Sequence, residues 1–187
     1  MIESYNKLIK ISVWSTVFLF VIRCIISWGS IIADFSIYDI WGYAGEAIGI
    51  AIILTALYEK YIWRVNPFEN TPKLSPRYIG KLKSTYDNKV RPATLEIKQT
   101  LTSIHVTMIT QESKSKSLST SIDNILGETQ LTYCYLNTPK NEFRSRSDIH
   151  YGTAILSINN PNKIEGQYYT DRKTTGDMIF IPDNNHK

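Results

Sequence analysis

The chain has 187 residues, 43% of them hydrophobic, with 21 Lys and Arg against 17 Asp and Glu and a formal net charge of +4. That length leaves one small domain beside any membrane segment, and the mild positive charge suits an anionic ligand or a lipid surface without proving either. Two cysteines, Cys24 and Cys134, fall in different parts of the chain, which argues against a disulfide and fits a cytosolic domain with free thiols.

The first predicted elements are two apolar runs, Ile11 to Ala33 and Ile40 to Leu57, each carrying one charge, Arg23 and Glu46. Both are long enough to cross a hydrocarbon core of about 30 Å. The first run is too long for a signal-peptide core and lacks a small-residue cleavage site before the second. A buried helical hairpin would need helical partners to cover it, and the rest of the sequence is not helical. Two N-terminal transmembrane α-helices are therefore expected. Lys7 and Lys10 precede the spans, Lys60 and Arg64 follow them, and the connecting turn holds only Asp34 and Asp39, which predicts cytoplasmic N- and C-termini. Trp14, Trp28, Trp41 and Trp63 are placed towards span ends, as interfacial anchors.

Arg23 falls near the middle of the first run and Glu46 about a third of the way into the second, so their depths differ by only about 6 Å. An intramolecular ion pair would make both charges tolerable in lipid; re-pairing between subunits is the alternative. Gly45 and Gly49, with Gly42, share a helix face that permits close approach, either within the hairpin or between oligomer subunits.

Residues 63–77 carry Pro67, Pro72 and Pro76 and read as a juxtamembrane linker between the hairpin of residues 1–62 and a domain of residues 78–187. From Tyr78 onward the dominant period is two. Strands are predicted near 78–86, 92–101, 103–112, 114–122, 129–137, 147–158, 163–171 and 173–181, separated by turn clusters such as Asn159-Asn160-Pro161-Asn162. About eight antiparallel strands without an amphipathic helix indicate an all-β domain, a small closed barrel or a sandwich.

Alternation assigns the inward faces. Ala93, Leu95, Ile97, Gln99 and Leu101 oppose Glu96 and Lys98; Ile164, Gly166, Tyr168 and Thr170 oppose Glu165, Gln167 and Asp171; Tyr78, Gly80, Leu82, Ser84 and Tyr86 oppose Lys81 and Lys83. In 113–121 the same rule turns Ser113, Ser115, Ser117, Ser119 and Ser121 inward. Buried hydroxyls without partners cost roughly 1–3 kcal/mol each, so a serine row inside a barrel implies a lumen for water or a polar ligand. The alternative is an exposed low-complexity loop or edge.

The sequence holds no nucleophile elbow, no GxxxxGK loop and no metal-ligand spacing, since His105, His150 and His186 stand apart. It does hold two spans, a proline-rich exit, and the segments LEIKQTLTSIHVTMITQESKSKS, LTYCYLN, HYGTAILSI and GQYYTDRKTTGDM. These resemble the SMODS-associating two-transmembrane, β-strand-rich effectors of bacterial CBASS antiphage systems across essentially the whole chain, most specifically over Tyr168–Gly176. The resemblance implies a small antiparallel β-barrel that senses a cyclic dinucleotide made by a cognate CD-NTase. It further implies oligomerisation of the transmembrane segments, disruption of the bacterial inner membrane and abortive infection. No enzyme activity, cofactor or metal is implied, and no DNA or RNA polymer is expected as a partner.

A cyclic dinucleotide brings two phosphates, which suit arginine, and two bases, which suit aromatic platforms. The candidates are Arg172, Arg146 and Arg144 for charge, Tyr168, Tyr133, Tyr135 and Tyr78 for stacking, and Thr170, Thr174, Ser115 and Ser117 for hydrogen bonds. Each has a structural alternative: strand tyrosines pack in cores, Arg144 and Arg146 flank a turn, and Arg172 could brace the 171–174 turn. A membrane-tethered barrel holding a lipid or other apolar ligand, or a membrane-anchored hydrolase, are the competing functions.

Overall fold

A computed structural model describes residues 2–27 and 36–184. The end of the first apolar run, with Trp28 and Asp34, lies outside the described residues. The chain divides into two compact units, residues 2–71 with 100–102, and residues 72–99 with 103 onward.

In the first unit, α1 (Ile2–Ile26) and α2 (Ile37–Lys60) are both long and apolar enough to cross a membrane, over Ser4–Ile26 and Ile37–Lys60. Ser36 caps α2, its hydroxyl accepting from the Tyr38 N–H at 3.3 Å, and Asp39 lies in the first turn where the helix dipole favours a carboxylate. The helices pack together, and the buried small residues of α2 are Ala47 and Ala51. The glycines sit elsewhere: a Cβ added at Gly42, Gly45 or Gly49 would meet nothing within 4 Å. Hairpin packing by Gly45 and Gly49, one of the two expected uses, is thus not what they do. Arg23 also differs from expectation, because α1 ends at Ile26, short of the end of the apolar run, and places it in the last turn. It pairs with Glu46 at 2.7 Å, donates to Ser27 Oγ at 2.6 Å, and lies over the Tyr43 ring at 4.5 Å. At its other end α1 starts earlier than the apolar run, which puts Trp14 in its body. Trp63 is fully buried in a 3-10 turn (Ile62–Arg64) instead of anchoring at an interface.

Past that turn, Glu69 accepts Lys7 Nζ on both oxygens at 3.0 Å and takes the Thr71 hydroxyl at 2.8 Å. Burial opposes its charge, but these bonds outweigh burial and hold the carboxyl below its ordinary value.

The second unit is a closed eight-stranded barrel in which every strand pairs antiparallel with its sequence neighbours and β8 closes on β1. The strands are β1 (Arg77–Ser84), β2 (Val90–Gln99), β3 (Ile104–Thr110), β4 (Ser113–Ile125), β5 (Glu128–Pro139), β6 (His150–Ser157), β7 (Ile164–Thr170) and β8 (Thr175–Pro182). Each expected strand is present, because alternation over residues that bury one face fixes both period and register. Leu95, Ile97, Val106, Leu131, Leu156 and Phe180 fill the interior, each at most 2% exposed.

Two expectations are corrected. The serine row faces inward only as far as Ser117. A bulge between Ser117 and Ser119 adds one residue to β4, so that Thr120 pairs with Tyr133 and Ile122 with Leu131, while Ser119 and Ser121 turn outward. Nor is the lumen polar along its length: the apolar side chains above fill it, and polar groups gather at one end. Ser117 serves the sheet, its Oγ accepting from the Val106 N–H at 2.9 Å where β3 and β4 have stopped exchanging backbone bonds.

Candidate functional site at the barrel mouth

One end of the barrel carries the turns β1–β2, β3–β4 and β7–β8 and the longer β5–β6 loop, which includes a 3-10 turn at Asn141–Phe143. The chain enters β1 and leaves β8 at the opposite end. There residues 72–76 are held by Gln99, whose amide donates to the Pro72 carbonyl at 2.7 Å and accepts from the Leu74 N–H at 3.0 Å. Gln99 thus satisfies backbone at the entry end and contributes nothing to a lumen. Tyr78 lies at that end too, fully buried, its hydroxyl accepting from the Ser75 N–H at 2.9 Å.

The mouth end opens into a cavity of about 140 Å³ lined by residues from all eight strands or their turns. Its walls combine charge, aromatic rings and hydrogen-bonding groups. Arg91 enters from β2 and is fixed by Asp87, Nη1 to Oδ1 at 2.9 Å and Nη2 to Oδ2 at 2.6 Å. Those bonds hold the Asp87 carboxyl well below the usual range and push Arg91 higher still, so both stay charged. Glu112, in the β3–β4 turn, lies 3.4 Å from Arg91 Nε and 2.8 Å from Arg146 Nη2. Arg172 reaches across the mouth, donating to Ser147 Oγ at 2.9 Å and to the Arg146 carbonyl at 3.4 Å. It braces the β5–β6 loop, not its own turn.

Tyr135 and Tyr168 supply the rings. Each lies over a glycine of the next strand: Tyr135 pairs with Gly152 and Tyr168 with Gly176, and a Cβ at either glycine would overlap the facing ring. Burial raises both phenols above their ordinary values, which keeps them neutral donors. Tyr133 is deeper, its ring centroid 5.8 Å from that of Tyr135 and its buried hydroxyl without a partner among the described residues. It does not line the cavity.

The wall between the arginines is a polarised chain. Ser115 donates to Asn137 Oδ1 at 2.9 Å, Asn137 Nδ2 lies 3.3 Å from His150 Nε2, and His150 Nδ1 lies 2.8 Å from the Asp148 carbonyl. The carbonyl fixes the proton on Nδ1, leaving Nε2 to accept and orienting the Asn137 amide. Thr170 and Thr174 complete the rim, hydroxyls 2.7 Å apart. The structure therefore brings together Arg172, Arg146, Tyr168, Thr170, Thr174, Ser115 and Tyr135. Tyr78, Tyr133, Ser117 and Arg144 lie outside the cavity wall.

The family model for the Cap15 cyclic dinucleotide receptor domain matches residues 69–181, from before β1 to within β8. The chain belongs to the Cap15 family. CD-NTase-associated protein 15 of Staphylococcus schleiferi is 30% identical over 180 residues, 94% of this chain and 96% of that protein, so the similarity includes the helices. The chain is accordingly a CBASS effector with a cyclic dinucleotide receptor domain and two candidate membrane helices.

Within this Cap15 barrel, sequence reasoning missed Arg91, Glu112, Asn137 and His150. Three of the four were within reach of the alternation rule: Arg91 continues the inward series of Ala93 and Leu95, Asn137 that of Tyr133 and Tyr135, and His150 that of Gly152 and Ala154. Glu112 sits in a turn, where alternation says nothing. Among the described residues no three His, Cys, Asp or Glu gather as metal ligands.

Proposed function

We propose that the cyclic dinucleotide binds at the barrel mouth and that this event drives the helices of several chains to assemble and breach the bacterial inner membrane, ending in cell death. The observation that carries the reading is the joint presence, in one cavity, of Arg91, Arg146 and Arg172 with Tyr135 and Tyr168. Guanidinium groups match phosphodiester oxygens, and phenol rings offer stacking faces. The cavity is smaller than the roughly 300–1,000 Å³ that encloses a drug-sized ligand, so the ligand spans the rim and the β5–β6 loop moves aside. An apolar ligand is disfavoured because core side chains fill the barrel below the mouth.

In this reading the protein is a sensor and not an enzyme. Both termini are cytoplasmic, given Lys7 and Lys10 before the helices and Lys60 and Arg64 after them. The open faces of Gly45 and Gly49 meet a second copy, and Arg23 and Glu46 re-pair across that contact. The test is dye release from liposomes holding the full-length protein. Release on adding a cyclic dinucleotide, abolished by Arg146→Ala, supports the proposal. Intact vesicles with bound ligand would refute the membrane step.

A further inference from the structure

The two carboxylates that pair with the cavity arginines are held differently. Asp87 gives both oxygens to Arg91 within one turn of chain. Glu112 instead reaches into the cavity and places Oε1 between two arginines of different elements, 2.8 Å from Arg146 and 3.4 Å from Arg91. Its turn does not need that contact. The Glu112 carbonyl already accepts from the Lys140 N–H at 2.9 Å, and Thr110 Oγ1 accepts from the N–H groups of Glu112 and Ser113 at 3.3 and 3.0 Å. The carboxylate is also about a third exposed, so a ligand can reach it.

We infer that Glu112 is an internal anion that occupies the phosphate-binding face of Arg91 and Arg146, so that a cyclic dinucleotide must displace it. This rests on the reading of the mouth as the nucleotide site. Counting the three cavity arginines and the two carboxylates paired with them, one net positive charge remains with Glu112 in place and two remain without it, matching the two phosphodiesters. The carboxylate thus raises the ligand concentration needed for occupancy and quiets the resting site, because an empty arginine pair would attract any cellular phosphate.

The test is binding of cyclic di-AMP, cyclic di-GMP, cyclic GMP–AMP and cyclic UMP–AMP to full-length protein in detergent, parent against Glu112→Gln, with melting measured on both. Two like charges about 5 Å apart cost roughly four-fold in affinity even at the dielectric of bulk water, and more in a partly dry site. Glu112→Gln should therefore bind its ligand at least about four-fold tighter. Should Glu112→Gln not fold, Glu112→Ala serves in the same assay with the same expectation. Equal or weaker binding by a folded variant would overturn the inference and make Glu112 a positioning residue for the arginines. If no probe binds either protein, the mouth is not the nucleotide site and both readings fall together.

Discussion

Gly152→Ala tests how the mouth is built. Gly152 pairs with Tyr135 across β5 and β6, and a Cβ there would overlap the ring at Cζ and Oη and stand 2.9 Å from Cε2. Both residues are on the buried face, so the ring cannot slide outward; it must turn into the cavity. Forcing a methyl into a packed interior costs typically 1–3 kcal/mol. About 2 kcal/mol on a domain of this size lowers the melting temperature by roughly 10 °C. The displaced ring also blocks the cavity, so ligand affinity should fall by at least about ten-fold even well below the melting point. The assay is thermal melting and ligand titration of four full-length proteins: parent, Gly152→Ala, Tyr135→Ala and the double variant. If the ring is the obstacle, Gly152→Ala should cost less than about 0.5 kcal/mol in the Tyr135→Ala background, an interaction energy well above the usual error of additivity. The same cost in both backgrounds would refute the reasoning and point to the backbone instead.

Arg172→Ala should weaken binding by roughly ten-fold to a hundred-fold with little change in melting, since the side chain is exposed and its two bonds hold a loop and not the core. Arg172→Lys, which keeps the charge but not the fork, should recover only part of that loss; full recovery would show that charge alone matters. Arg23→Leu and Glu46→Leu should each leave binding intact but change toxicity more than the double variant does, because each single change strands one charge of the pair. Three variants that kill like the parent would remove the pair from the mechanism. Asp87, depressed by Arg91, stabilises the barrel above the ordinary carboxylate range, and that contribution is lost as pH falls through its lowered folded value. The melting temperature should therefore drop on acidification below about pH 4, and Asp87→Asn should flatten that part of the profile.

The barrel was legible because its strands alternate against charged outer faces, as in Glu96 and Lys98 against Leu95 and Ile97. Alternation gives inside and outside but not height along the barrel. Tyr78 and Tyr168 share the inward face, yet one closes the entry end and the other lines the mouth, and only the register of neighbouring strands separates them. The bulge in β4 was hidden because serine at every odd position offers no contrast to show where the parity slips. Arg91 was lost to a boundary: Pro92 beside a polar turn set the expected strand start two residues late, and the inward series was cut just before its charged member. In the helices, an apolar run marks what lipid tolerates but not where a helix ends, so Arg23 was set mid-span when it lies in the final turn of α1.

The most direct test of the central claim, that the mouth is the cyclic dinucleotide site, is equilibrium binding of the four cyclic dinucleotides to full-length protein, parent against Arg146→Ala. Arg146 is half exposed and its loss leaves the core untouched. Binding at the mouth should give one bound ligand per barrel, affinity that falls with salt, and a loss of at least about ten-fold in Arg146→Ala at unchanged melting temperature. Undiminished binding by folded Arg146→Ala, or none to the parent, would contradict it.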